Sequence, residues 1–139
     1  MTDLVGTAAA WDPEFEPPVP LMSRAQIQAL AREGVRFESH LATHQAADSL
    51  SSRDLVVELV RSRATLENWL GRPIHALAAP FGITNERLAR AAAFCGYKIG
   101  FTTESGVARL GSDPFRLPRI EVKGDWTPET FAGALEKTR

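Results

Sequence analysis

The sequence predicts an α/β fold with parallel strands. Helical and extended segments alternate along the chain in the order helix, strand, helix, strand, helix, strand, strand, helix, at the spacing of β-α units. The strand candidates are short and bounded by Gly or Pro. The 139 residues suit one domain, and 44% hydrophobic with 24% charged residues is an ordinary globular composition.

Residues 11–20 hold four of the nine prolines, a density that blocks helix and central strand, so they read as a loop. Ser23 with Gln26 forms a capping box ahead of Ile27, Leu30 and Ala31 at helical spacing, and Gly34 ends that helix. Val35 to Ser39 alternates as a short strand. Ser51 and Asp54 cap a long helix whose apolar face carries Leu55, Leu59, Leu66 and Leu70, and Gly71-Arg72-Pro73 stops it. Ile74 to Ala79 is a buried strand and Pro80-Phe81-Gly82 a turn. An Ala-rich helix from Asn85 to Phe94 stops at Gly96. Tyr97 to Thr103 is a half-buried strand, residues 104–118 are loop, and Arg119 to Val122 is a short strand. Thr127-Pro128-Glu129 starts the last helix, with proline at its first position.

Charge and cysteine content exclude several classes. Sixteen basic against seventeen acidic residues leave a net charge of −1, with no electrostatic footprint for nucleic acid or an anionic membrane. One cysteine, Cys95, excludes an internal disulfide and a Cys-rich zinc module. No apolar run reaches the ~18–20 residues of a membrane span. The first residues lack the basic and apolar regions of a signal peptide, with Asp3 where Lys or Arg is expected. The expectation is a cytoplasmic chain as written, with export of a longer parent left open.

Three histidines are present, and His40 and His44 are spaced i, i+4 where the strand 35–39 ends. Imidazole nitrogens suit zinc and related metals, and strand C-termini form the active face of parallel α/β folds. Three histidines placed at random would give such a pair in about 4% of chains, so the spacing alone is weak. A third ligand is needed, and Asp12, Glu14, Glu16 and Asp48 are candidates that no spacing separates.

Ser39-His40-Leu-Ala-Thr-His44, then Leu50-Ser51 and the long helix ending Trp69-Leu-Gly-Arg-Pro73, resembles the polysaccharide deacetylase family, the NodB-homology domain of carbohydrate esterases. Leu77-Ala-Ala-Pro80-Phe81-Gly82 is similar to the family's third motif. Gly96 to Thr103 resembles the strand that follows, and Asp113 to Ile120 a late segment of one branch. The resemblance covers about residues 19–135. It implies a partial, distorted (β/α) barrel lacking its first strand, with residues 1–22 a Pro-rich segment and 23–139 the partial domain. It implies a divalent metal, often zinc, held by His40 and His44. It further implies hydrolysis of N- or O-acetyl groups on a polysaccharide or peptidoglycan sugar. The Phe81 backbone N–H would face the oxyanion, and Pro80, Phe81 and Arg119 would line the substrate groove.

The sequence departs from that pattern. The family's Asp-Asp pair, which gives a base and a metal ligand, is absent, and the chain begins where it looks downstream of that strand. Leu41 replaces a Ser or Thr after the first histidine. Ala78 and Ala79 replace bulkier residues before Pro80. The late Leu-x-His motif has no counterpart. Three readings therefore stay open: an impaired metal-dependent deacetylase, a non-catalytic carbohydrate-binding module, and an incomplete barrel whose strand edges need a partner or self-associate. Other residues have structural readings: Trp69 in the core, Trp11 and Phe15 packing on the barrel in preference to stacking on sugars, Cys95 buried and inert, and His75 structural or on the surface. Asp125-Trp126 reads as the lead-in to the last helix, and Arg119 is open between a site carboxylate and the surface.

Overall fold

The computed structural model describes residues 2–7 and 20–136. Helix α1 spans Arg24–Arg32, with the Ser23–Gln26 capping box in place. Helix α2 spans Ser52–Leu70; the Ser51 side chain caps Asp54 N–H, and Gly71 ends it at φ 65°. Strand β1 is Ala76–Ala78, followed by a 3-10 turn at Pro80–Gly82. Helix α3 is Glu86–Phe94, capped by Asn85. Strands β2, Ile99–Ser105, and β3, Leu117–Arg119, precede α4, Pro128–Glu136. A short 3-10 turn covers Thr2–Leu4. None of the described helices is long and apolar enough to cross a membrane.

The sheet runs β1-β2-β3, all parallel, with Leu77 opposite Gly100 and Phe101 opposite Leu117. The α/β expectation with parallel strands therefore holds. The apolar face of α2 packs Leu55, Leu59 and Leu66 against Ile74, Leu77 and Ala79 from the β1 segment and Leu88 and Ala92 of α3. Trp69 and Leu70 are half-buried against that cluster. Cys95 is half-buried too, rather than fully enclosed. Burial pushes its thiol upward, against a smaller opposite effect of Arg63.

The strand boundaries differ from the expectation. Residues 35–39 do not form a strand; only Ser39 bridges to Leu77. Ser39 N–H donates to Ala76 O and Ala78 N–H to Ser39 O, as a parallel ladder requires. One step upstream, side chains replace the ladder. Ala76 N–H goes to Glu38 Oε2 at 2.9 Å, and Phe37 O accepts from the Arg72 guanidinium. Glu38 also takes His75 N–H at 3.0 Å, and Arg72 donates to Glu38 Oε1 at 3.1 Å. Phe37 O and the His75 and Ala76 N–H groups are thereby satisfied without a strand. The last strand is Leu117–Arg119, not Arg119–Val122. It pairs with β2 through an irregular register between Phe101 and Ser105. Pro118, which lacks an N–H, is tolerated because β3 is at the sheet edge. Strand β2 likewise runs on to Ser105, beyond the expected Thr103.

Candidate metal and substrate site

His40 follows directly on Ser39, so the β1 bridge carries it to the C-terminal end of the sheet. Its Nδ1 lies 2.6 Å from Ala78 O at the end of β1. A carbonyl only accepts, so Nδ1 carries the proton and Nε2 keeps the lone pair a metal needs. The chain then turns through Leu41 at φ 59° and His44 at φ 60°, two non-glycine residues in the left-handed region. The turn drives Leu41, at the family's Ser or Thr position, fully into the core and sets the two imidazole centroids 4.9 Å apart at 52°.

The loop is held from two sides. Glu58 of α2, only 7% exposed, accepts Ala42 N–H and Thr43 N–H on Oε2, both at 2.9 Å. Its Oε1 accepts the Thr43 hydroxyl at 3.0 Å. Arg87 of α3 donates to Leu50 O and Ala47 O, each at 2.6 Å. Neither residue was singled out by the sequence reading. Glu58 did leave a signal: it and Ser62 interrupt the Leu55, Leu59, Leu66 stripe on the buried face. A carboxylate there has to be paid with strong partners.

The turn after β1 supplies the other wall. Pro80 is buried, Phe81 stands at φ 58° with 60% of its surface exposed, and Gly82 follows at φ 68°. The Phe81 ring lies 4.9 Å from His44, centroid to centroid. Arg119 approaches from β3; its Nε donates to Thr102 O at 2.8 Å, and its guanidinium sits 6.0 Å from the Phe101 ring. Thr103, Arg119, Ile120 and Glu121 line a cleft of about 260 Å³.

The structure thus brings together His40, His44 and the Pro80–Phe81 turn. His75 is exposed at the entrance of β1, away from the pair. Among the described residues, no third His, Cys, Asp or Glu completes a metal-holding group, and Asp48 does not join the pair. Trp11, Asp12, Glu14, Phe15 and Glu16 lie outside the described residues. The donor set therefore fits two positions of a divalent cation's shell: two imidazoles, one with its tautomer fixed.

Burial pushes the His40 imidazole below its ordinary value of 6.5; the Ala78 carbonyl opposes this, and the Arg119 charge adds to it. His44 is lowered by burial and by the neighbouring His40. Both rings fold neutral and take up protons more readily when unfolded. The linked stability is present above pH 6.5 and is lost as pH falls from there through the lower folded values. Urea unfolding in chelator should therefore weaken across this window in the wild type. The slope should flatten in a His40→Ala/His44→Ala variant, and equal slopes would refute the assignment. Glu38 acts in a separate, more acidic window: burial raises its pKa, but the Ala76 and His75 N–H bonds and Arg72 outweigh it and hold it below 4.5.

The model of the polysaccharide deacetylase family matches residues 7–100. YxkH of Bacillus subtilis (strain 168), assigned by name to the polysaccharide deacetylases, is 25% identical over 118 residues, which are 85% of this chain and 42% of YxkH. The Streptococcus pyogenes deacetylase PplD, solved with acetate, superposes with a TM-score of 0.83 at 24% identity, over 99% of this chain and 56% of that one. IcaB from Ammonifex degensii superposes with a TM-score of 0.75 at 22% identity, over 96% and 58%. The chain spans about half the length of these relatives. The likeness to the two structures is one of fold, a partial NodB-type α/β domain.

Proposed function

This chain belongs to the polysaccharide deacetylase family, and from that premise we propose that it carries the cation-binding pair and oxyanion turn for removing N- or O-acetyl groups from a polysaccharide or peptidoglycan sugar. The observation that carries the reading is the His40–His44 pair at the sheet's C-terminal end, with its tautomer set by Ala78 and Phe81 beside it. A divalent cation such as zinc, when bound, polarises a carbonyl and makes water a better nucleophile.

Each residue then has a role of its own. His40 offers Nε2 and His44 its imidazole as ligands. The Phe81 backbone N–H is the donor for the oxyanion that develops as the acetyl carbonyl is attacked. Its exposed ring forms a wall against which a sugar stacks, Pro80 is buried behind it and supports the turn rather than lining the groove as the sequence suggests, and Arg119 contributes positive charge beside the groove. The sequence holds no Asp-Asp pair. A positioned general base contributes about 10²–10⁴-fold in rate, so acetate release by these residues alone should be slower by that factor. The lack of a third ligand among the described residues favours one other reading, a non-catalytic module that keeps the sugar groove.

Titration with Zn²⁺ and Co²⁺ beside the His40→Ala/His44→Ala variant separates the two. We expect binding in the micromolar range, weakened at least about tenfold in the variant, and acetate release that depends on the added cation. Equal, weak binding by both proteins would refute the deacetylase reading and leave the non-catalytic module.

A further inference from the structure

One carboxylate anchors the middle of the histidine loop. Leu41 and His44 bracket the loop in a backbone region that L-residues with a Cβ avoid. Such a conformation persists only where the surroundings over-determine it. Between them, the consecutive N–H groups of Ala42 and Thr43 converge on a single oxygen of Glu58, at 2.9 Å each. The other oxygen takes the Thr43 hydroxyl at 3.0 Å. Glu58 is nearly enclosed and has no ion-pair partner among the described residues. Nor does it form a ligating group with the histidines. Its side-chain bonds go to Ala42 and Thr43 of the loop.

We propose that Glu58 is a positioning residue that presets the His40–His44 pair for a divalent cation by anchoring the Ala42–Thr43 backbone. The inference rests on the reading of the pair as a cation site. It makes α2 the element that fixes the backbone between the rings, while Ala78 O holds the His40 ring. Without the anchor, the buried Ala42 N–H and the half-buried Thr43 N–H lose their acceptor, and the loop regains the freedom to leave the left-handed region at both ends. The rings then no longer meet a cation together.

The geometry also specifies the rescue. In a Glu58→Gln variant the amide oxygen can take both N–H groups, and the amide NH₂ can donate to the Thr43 hydroxyl oxygen, which already accepts from Gln45. A Glu58→Leu variant retains the bulk and none of the bonds. A Glu58→Asp variant keeps the carboxylate but withdraws it by one methylene.

The test is a Co²⁺ titration of the full chain, read by calorimetry and by the visible absorption of the bound ion, with thermal melts of each variant. We expect Glu58→Leu to weaken Co²⁺ binding by about 10–100-fold and to change the absorption band, and Glu58→Gln to stay within about threefold of wild type. Glu58→Asp should lose about tenfold, and it carries the test if the leucine variant does not melt cooperatively. Wild-type affinity and an unchanged band in both the leucine and aspartate variants would overturn the inference alone. So would a glutamine variant as weak as leucine. A wild-type chain that fails to bind Co²⁺ would overturn the cation reading and this inference with it.

Discussion

Replacing Tyr97 with alanine is expected to lower the unfolding free energy by about 3–5 kcal/mol, the cost of emptying a large aromatic site in a packed core. Among the described residues Tyr97 is the largest fully buried side chain, 2% exposed in the core cluster with Leu59, Leu88, Ala92 and Ile74. Its hydroxyl donates to Leu59 O at 3.0 Å, which ties the strand entrance to the middle of α2. Burial pushes the phenol up to about 12, against the smaller effect of the Ser39 and Ser62 hydroxyls, so it stays neutral and donating at physiological pH. Tyr97→Phe separates ring from hydroxyl and should cost only about 1 kcal/mol, the net worth of one hydrogen bond. Urea unfolding of the two variants decides the matter. A loss from Tyr97→Ala no larger than that from Tyr97→Phe would mean that the ring is not what holds α2, α3 and β2 together.

The second large effect is at Gly82. Its φ is +68°, and a Cβ built there would lie 2.1 Å from Thr103 Oγ1, 2.5 Å from Cγ2 and 2.8 Å from Thr103 Cβ itself. Because the clash includes the Thr103 Cβ, no rotamer of that side chain clears it. A Gly82→Ala variant therefore bears the left-handed backbone penalty and the overpacking together, about 2–4 kcal/mol. Gly71 is the control. It has nearly the same φ, +65°, but nothing lies within 4 Å of its Cβ position. Gly71→Ala should cost about 1 kcal/mol from the backbone alone. Equal losses at the two sites, measured by thermal or urea unfolding, would remove the steric part of the argument. Because Gly82 follows Phe81, the variant should also displace the Phe81 N–H and ring from the histidine pair, weakening cation binding.

The elements that were legible from the residues are those whose hydrogen bonds are local. The Ser23–Gln26 box, the Ser51 cap and the Gly71 stop each act within four residues, and helical periodicity requires no knowledge of what packs above; Asn85, expected as the first residue of its helix, is its cap. The Pro80-Phe81-Gly82 turn and the proline start of α4 belong to the same class. The histidine pair was legible too, by its spacing and its motif, and its place at the end of the Ser39 segment is where the structure has it.

Residues 35–39 and the final strand show the other class. Whether an extended segment becomes a strand depends on what meets its backbone. Here the Arg72 guanidinium donates to Phe37 O, 35 residues away, and the Glu38 carboxylate accepts from Ala76 N–H, 38 residues away, in place of ladder bonds. The sequence by itself determined the α/β class, the helices with their caps, and the identity of the two imidazoles. Only the tertiary structure decided which nitrogen of His40 holds the proton, how the rings face one another and Phe81, and that Glu58 shapes their loop. The physical reason is that helix signals repeat within a turn. The site is instead built from hydrogen bonds between a helix and a loop 15 and 16 residues apart, and between a ring and a strand end 38 residues apart. Pairings at that range leave no period in the sequence.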